Sequence, residues 1–198
     1  YIVQGRHKAV QSLYERILAI SENTLGPNHP ALATVLNDLA GIYSSQGNYT
    51  KAESLYRQSL VILERAVGPE YPDVATGLIN FAGFYLSQGQ FERYQQAEPL
   101  FERALAIDSK AFGPDHPTVS RDLSGLAELY YTQGDYRRSE ANYKRSLEIL
   151  ENAYGPDDTT VAASLNKLAE LYDAQSRFDL AEPLSVSYTH LTLPTILL

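Results

Sequence analysis

Leu25-Gly26-Pro27-Asn28-His29-Pro30-Ala31-Leu32-Ala33-Thr34-Val35-Leu36-Asn37-Asp38-Leu39-Ala40 decides the fold, because the rest of the chain repeats it. Gly-Pro returns at Gly68-Pro69, Gly113-Pro114 and Gly155-Pro156, at intervals of 42, 45 and 42 residues. Tyr71-Pro72 and His116-Pro117 match His29-Pro30, and Leu36, Leu78, Leu123 and Leu165 fall in register. A period of this size means a stack of similar units. Glycine closes a helix in the left-handed conformation, the proline after it cannot extend that helix, and the second proline suits the first turn of a new one. Each unit therefore ends one helix and begins the next within a few residues.

The spacing within a unit is helical. Leu32, Val35, Leu36, Leu39, Ala40 and Tyr43 recur every three or four positions up to Gln46-Gly47-Asn48, and Ala52, Leu55, Tyr56, Ser59, Leu60 and Leu63 do so up to Gly68. The same design returns at Leu78, Phe81, Ala82, Tyr85, Gly89 and Phe91. It returns again at Leu123, Leu126, Ala127, Tyr130, Gly134, Tyr136, Ser139, Tyr143, Leu147 and Leu150, and finally at Leu165, Leu168, Ala169, Tyr172 and Phe178. Asp158-Thr159 stands in for His-Pro in the last copy, keeping a capping residue, and Ser176 replaces the turn glycine. Asn142 occupies the position of Leu55 and Leu100, a costly change unless its amide reaches solvent or a partner.

Leu36-x2-Leu39-Ala40-x2-Tyr43, with Gly47, Tyr49 and Ala52-x3-Tyr56, resembles the tetratricopeptide pattern with leucine in place of the leading tryptophan. That family ordinarily repeats about every 34 residues. A 42-residue unit with a Gly-Pro-x-His-Pro junction is similar to the kinesin-light-chain type, widespread in bacterial multi-repeat proteins. The resemblance spans 1–184. It implies an all-α, antiparallel helix-pair solenoid wound as a right-handed superhelix, with about eight helices plus a truncated ninth.

The expected organisation is a partial repeat over 1–28, full repeats over 29–70, 71–115 and 116–157, and a truncated repeat over 158–184. Tyr1, Gln4 and Gly5 align with Tyr43, Gln46 and Gly47, so the chain is expected to start near the end of a first helix and to be a fragment. Residues 7–25 then form a second helix with Val10, Leu13, Tyr14, Ile17, Leu18 and Leu25 on one buried face. Three extra residues near Arg93-Tyr94-Gln95 precede Ala97-Glu98-Pro99-Leu100-Phe101. Inside a helix they would rotate the core by about 60°, and Pro99 is harmless only near a helix start. The turn after Gly89 is expected to lengthen, with the helix beginning near Gln95 or Gln96; the alternative is a helix from Glu92 kinked at Pro99. After Leu184 the pattern stops. Residues 185–198 resemble a frame translation of a sequencing adapter and are read as a non-native tail, which leaves the last helix under ten residues long.

Composition excludes several functions. A net charge of −8 argues against nucleic acid or an anionic membrane as the main partner. Cysteine is absent, so there is no thiol nucleophile, disulfide or cysteine metal site. No apolar run approaches the roughly 20 residues that span a bilayer. His29 and His116 share a register position filled elsewhere by Tyr71 and Asp158, which a metal site would not tolerate, so capping or packing is expected. His7 aligns with turn aromatics and is expected in a turn, and His190 belongs to the tail. No phosphate loop or nucleophile elbow is present, the serines have no histidine in register, and neither an enzyme activity nor a cofactor is expected. Tyr43, Tyr85, Tyr130 and Tyr172 share one core register, and Tyr56, Phe101 and Tyr143 another, so they are read as packing.

The first helices keep a second face. In tetratricopeptide arrays the residues two places from the core leucines line the inner groove, and the resemblance assigns that role here to Thr34, Asn37, Thr76, Ile79, Leu86, Arg121, Ser124, Tyr131 and Asn166, with Asn80 and Lys167 one place further round. Asparagine suits such a groove because one amide both donates to and accepts from an extended backbone. Charges in the stripe are mixed, which does not support a clamp for an acidic tail, while Ile79, Leu86 and Tyr131 suggest an apolar pocket. The expected function is a scaffold for protein–protein interaction that holds a peptide or partner segment, in a cytoplasmic setting. The alternatives are a sensor or oligomerisation arm of a larger bacterial enzyme or signalling ATPase, and self-association through exposed array ends.

Overall fold

The computed structural model describes residues 2–192, with the side chains of 10–187 and 189. Tyr1 and residues 193–198 lie outside the described residues, as do the side chains of Gln4, His7 and His190, with the expectations attached to them. Helices α1 (Ile2–Leu25), α2 (Pro30–Ser45), α3 (Tyr49–Val67), α4 (Pro72–Leu86), α5 (Phe91–Phe112), α6 (Pro117–Thr132), α7 (Tyr136–Tyr154), α8 (Thr159–Ala174) and α9 (Phe178–Thr192) follow in order, and no strand occurs among the described residues. The all-α helix-pair expectation holds. None of these helices is long and apolar enough to cross a membrane. The chain divides into two compact units, Tyr1–Ile107 and Asp108–Leu198.

In the first unit α2 lies against α1 and α3, and α4 against α3 and α2. The Gly-Pro junction works as its chemistry dictates. Gly68, at φ 97, closes α3, its N–H donating to the Glu64 carbonyl at 3.1 Å. At the start of α2, Pro30 takes the first turn and His29 Nδ1 accepts the Ala31 N–H at 3.2 Å. The predicted stripes are buried: Leu32, Leu36, Leu39, Ala40 and Tyr43 on α2, and Ala52, Leu55, Tyr56, Ser59, Leu60 and Leu63 on α3. A leucine so enclosed contributes about 2 kcal/mol. Tyr56, Phe81, Phe84 and Tyr85 form one aromatic block, with the Phe81 and Tyr85 centroids 4.6 Å apart. The buried Ser59 hydroxyl donates to the Ala33 carbonyl at 2.8 Å and fastens the pair.

The second unit repeats the scheme with α6 against α7, α7 against α8 and α8 against α9. His116 Nδ1 caps α6 through the Thr118 N–H at 3.2 Å, and Asp158 does the same for α8 through Thr160 at 2.7 Å. Asp158 thus replaces histidine without loss of the cap. Ser146 donates to the Ser120 carbonyl as Ser59 does to Ala33. Asn142 is accommodated half-buried, its amide donating to the Arg138 carbonyl at 2.8 Å.

Four expectations need correction. First, α5 starts at Phe91, four or five residues before the expected Gln95 or Gln96 and one before the alternative at Glu92, and runs through Pro99. The insertion lengthens the helix, 22 residues against 19 in α3 and α7, and not the turn. Its extra turn precedes every buried position, and Ala97, Phe101, Ala104 and Ile107 keep their spacing. Second, α9 is 15 residues long, not under ten. Among the described side chains beyond Leu184 none is buried, and the Ser187 and Thr189 hydroxyls turn back to the Pro183 and Ser185 carbonyls. Third, α1 passes through Gly5 and His7 without the expected turn. Fourth, the α1 stripe is not wholly buried: Val10, Leu13, Ile17 and Leu25 are exposed, while Tyr14 and Leu18 are half-buried. The matching Ala52, Leu55 and Ser59 of α3 are buried beneath α2, and among the described residues no helix takes that place over α1.

Candidate functional site

The core-facing tyrosines are settled by their surroundings. Tyr43, Tyr85, Tyr130, Tyr172, Tyr56, Phe101 and Tyr143 are all buried. The hydroxyl of Tyr85 donates to Glu53 at 2.9 Å, and Arg93 reaches the other Glu53 oxygen at 3.2 Å. Tyr172, Glu140 and Arg177 repeat the arrangement at 3.0 and 2.8 Å, and Tyr43 meets Glu15 in the same way. Burial and then the Glu53 carboxylate push the Tyr85 hydroxyl up to about 12, so it stays protonated. Burial alone would raise Glu53, but bonds from Arg57 and Tyr85 and the charges of Arg57 and Arg93 hold it below its ordinary range. These groups staple one helix pair to the next, and the expected groove residues lie on another face of the first helices.

In the first unit that surface is a cleft of about 340 Å³ between α2 and α4. Thr34, Asn37 and Asp38 come from α2, and Asp73, Thr76 and Asn80 from α4, so four of the predicted groove residues converge on it. Its floor is Leu63 and Gly77, where a Cβ on Gly77 would come within 2.9 Å of the Leu60 side chain. Glycine there lets α4 approach α3. A second hollow of about 660 Å³ continues along the same helices past Ile79 and Asn80 to Gly83 and Phe84. Asn80 borders both. The Asn37 side-chain oxygen is buried and has no hydrogen-bond partner. An acceptor enclosed without a donor costs about 1–3 kcal/mol. Leu86 is half-buried at the end of α4, outside the lining of both hollows.

The second unit treats its equivalents differently. Ser124 donates to the Ser120 carbonyl at 2.9 Å and shares a hydrogen bond with Ser146. Tyr131 packs beside Tyr136 and on the Tyr143–Leu168 cluster. Asn166 donates to Glu170 at 2.6 Å, and Lys167 lies 3.5 Å from Glu128 and 3.4 Å from Glu170. Arg121 is drawn to Asp108 at 3.4 Å and to Asp122 at 3.6 Å. These side chains engage one another, whereas Thr34, Asp73, Thr76 and Asn80 of the first-unit cleft are exposed. Ile79 and Tyr131 belong to different units.

Two features escaped the sequence reading. Asp38 and Asp73 stand in the cleft lining, one place and one turn away from the groove register. Asp108 and Asp122 are almost wholly buried as a pair, at the positions that Leu63 and Gly77 fill one repeat earlier. A charge in an apolar register was the available signal. No group of three or more potential metal ligands occurs among the described residues.

The tetratricopeptide repeat model matches residues 1–65, 39–93, 91–152 and 123–185. No curated protein sequence matches the chain. Among solved structures, BtubC (BKLC) from P. vanneervenii is similar at 25% identity and a TM-score of 0.78, over 95% of this chain and 74% of that one. A Podosopora anserina protein of nearly identical TPR-like repeats, named for the kinesin light chain, is 24% identical with a TM-score of 0.78, over 96% of this chain and 89% of its own. MamA from Desulfovibrio magneticus RS-1, at 13% identity and a TM-score of 0.57 over 91% and 94% of the two chains, shares the fold alone. With the repeat model matched along nearly its whole length, and with kinesin-light-chain-like proteins among its structural neighbours, the chain belongs to the tetratricopeptide repeat family.

Proposed function

We propose that this chain is a protein–protein interaction scaffold whose α2–α4 cleft holds an extended segment of a partner. The observation that carries the reading is the open cleft between α2 and α4, on which the predicted groove residues Thr34, Asn37, Thr76 and Asn80 converge. An extended backbone supplies the alternating N–H and C=O groups that two asparagine amides match. The family's general role in mediating protein interaction agrees with it.

Peptides selected by phage display against the whole chain test the reading. Replacing Asn37 and Asn80 together with alanine removes two hydrogen-bonding groups of about 1 kcal/mol each and should weaken the selected peptides about tenfold or more, with no fall in the thermal midpoint. Selected peptides that bind the double variant as tightly as the parent contradict it.

A second reading, self-association, has its own observation. Val10, Leu13, Ile17 and Ile20 form an exposed apolar stripe on α1. Light scattering that rises with concentration in the parent and not in Leu13→Glu would support it, and scattering flat in both would end it.

A further inference from the structure

The second hollow of the first unit, about 660 Å³, holds two glycines and a hydroxyl without a partner. Gly41, Tyr56, Asn80 and Gly83 all line it. Two repeats on, in the second unit, the same register positions are Glu128, Tyr143, Lys167 and Glu170, and there the place is full. The Tyr143 hydroxyl donates to Glu128 at 2.8 Å, while Lys167 lies 3.5 Å from the same carboxylate oxygen and 3.4 Å from Glu170. In the first unit glycine removes both carboxylates and asparagine removes the ammonium, but the tyrosine remains. Tyr56 packs on Phe81 and Phe84 and is only 7% exposed. Among the described residues neither its hydroxyl nor the Asn80 amide has a hydrogen-bond partner. Unlike the Asn37 oxygen, that hydroxyl is not sealed off. It faces the bare Gly41, where a Cβ would stand 3.8 Å from it and meet nothing else within 4 Å. Burial and then the Asp38 charge push the hydroxyl up, so it keeps its proton and is a donor. Tyr49, Ile79 and Phe84 wall the hollow, and no charged residue lines it.

We infer that this hollow takes a glutamine side chain of the bound segment, seated over Gly41 with its carbonyl accepting from the Tyr56 hydroxyl and the Asn80 amide. The inference rests on the peptide-binding reading of the adjoining cleft and adds the class of side chain recognised there. Glutamine has the length of the Glu128 that fills this place in the second unit. It lacks the charge, which suits a place that has lost its carboxylates and its ammonium together. Its carboxamide offers one acceptor to the two donors and two N–H groups to the water around them. A glutamate would find no lysine, arginine or histidine in the lining and would feel the Asp38 charge. An aliphatic side chain of the same length would leave the Tyr56 donor unmet.

The test uses the whole chain labelled with nitrogen-15 and three probes: N-acetyl-glutamine N-methylamide and its glutamate and norleucine counterparts. The glutamine amide is expected to shift the Gly41 and Gly83 backbone resonances saturably and to bind about fivefold or more tighter than either counterpart. Tyr56→Phe removes one hydroxyl that bonds to nothing in the protein. It should bring glutamine down to the level of norleucine with no fall in the thermal midpoint. Gly41→Glu rebuilds the second unit's arrangement from within and should abolish glutamine binding. Glutamine and norleucine binding equally well, glutamate binding tightest, or glutamine undiminished in Tyr56→Phe would each overturn the carboxamide site. So would three probes that leave Gly41 and Gly83 unmoved. A display-selected peptide titrated into the same sample keeps the two readings apart: shifts at Thr34 and Thr76 leave the peptide reading standing without the glutamine site, and their absence removes both.

Discussion

At the scale of single residues, the buried Asp108–Asp122 pair is the feature that most departs from the repeat. Burial, and then the neighbouring Asp108 charge, push the Asp122 carboxyl up to about 7, with Arg121 offsetting only part of the effect. Burial raises Asp108 as well. A folded-state value above the ordinary 3.9 or so means that the folded chain binds protons more tightly than the unfolded one. The stability this provides is complete below about pH 4 and is lost as the pH rises towards 7. Urea midpoints should therefore be higher at pH 5 than at pH 8, and Asp122→Asn should flatten that dependence by removing the buried charge; a profile equally steep in the variant would remove the pair as its source. At the last turn Ser176 holds φ 58, where Gly47, Gly89 and Gly134 stand in the other copies. Ser176→Gly should add about 1 kcal/mol of stability by relieving the left-handed strain, read from the urea midpoint. The lost glycine was visible in the repeat alignment. Asp108 and Asp122 are individually ordinary residues, and only their mutual burial across two helices makes them a pair.

At the scale of elements, the helices and their caps could be read because each signal is local. A Gly-Pro junction, a capping histidine and a three-four leucine spacing act within a few residues of one another. The start of α5 could not be read that way. Counting from the turn at Gly89, three extra residues appear to spoil the register; counting from Ala97, Phe101 and Ala104, they simply add a turn ahead of it. Packing follows the second count, since nothing before Ala97 in α5 is buried. Arg93 in that added turn stands over the Tyr85 ring and bonds to Glu53. Deleting Arg93-Tyr94-Gln95 should accordingly leave a folded chain that has lost about 1 kcal/mol, the worth of a partly exposed ion pair and a ring contact. A chain that fails to fold after the deletion, judged by circular dichroism, would show that those three residues carry the register.

At the scale of the whole molecule, each unit is a run of helix pairs whose stability passes between neighbours, because one pair cannot enclose its own apolar face. The periodic sequence predicted that much, along with the buried aromatic positions. The cleft was only half legible: Thr34, Asn37, Thr76 and Asn80 follow from register, whereas Asp38 and Asp73 join them only through the crossing of α2 and α4. The exposed stripe on α1 belongs to the same logic, as the face that α2 covers on α3. The central claim is that the inner surface of α2 and α4 is where this scaffold works. Its most direct test is the chemical-shift map of a labelled chain saturated with a display-selected peptide. Perturbations centred on Thr34, Asn37, Thr76 and Asn80 are the predicted result; a map centred on Val10, Leu13 and Ile17, or on the outward side of α3, would contradict it.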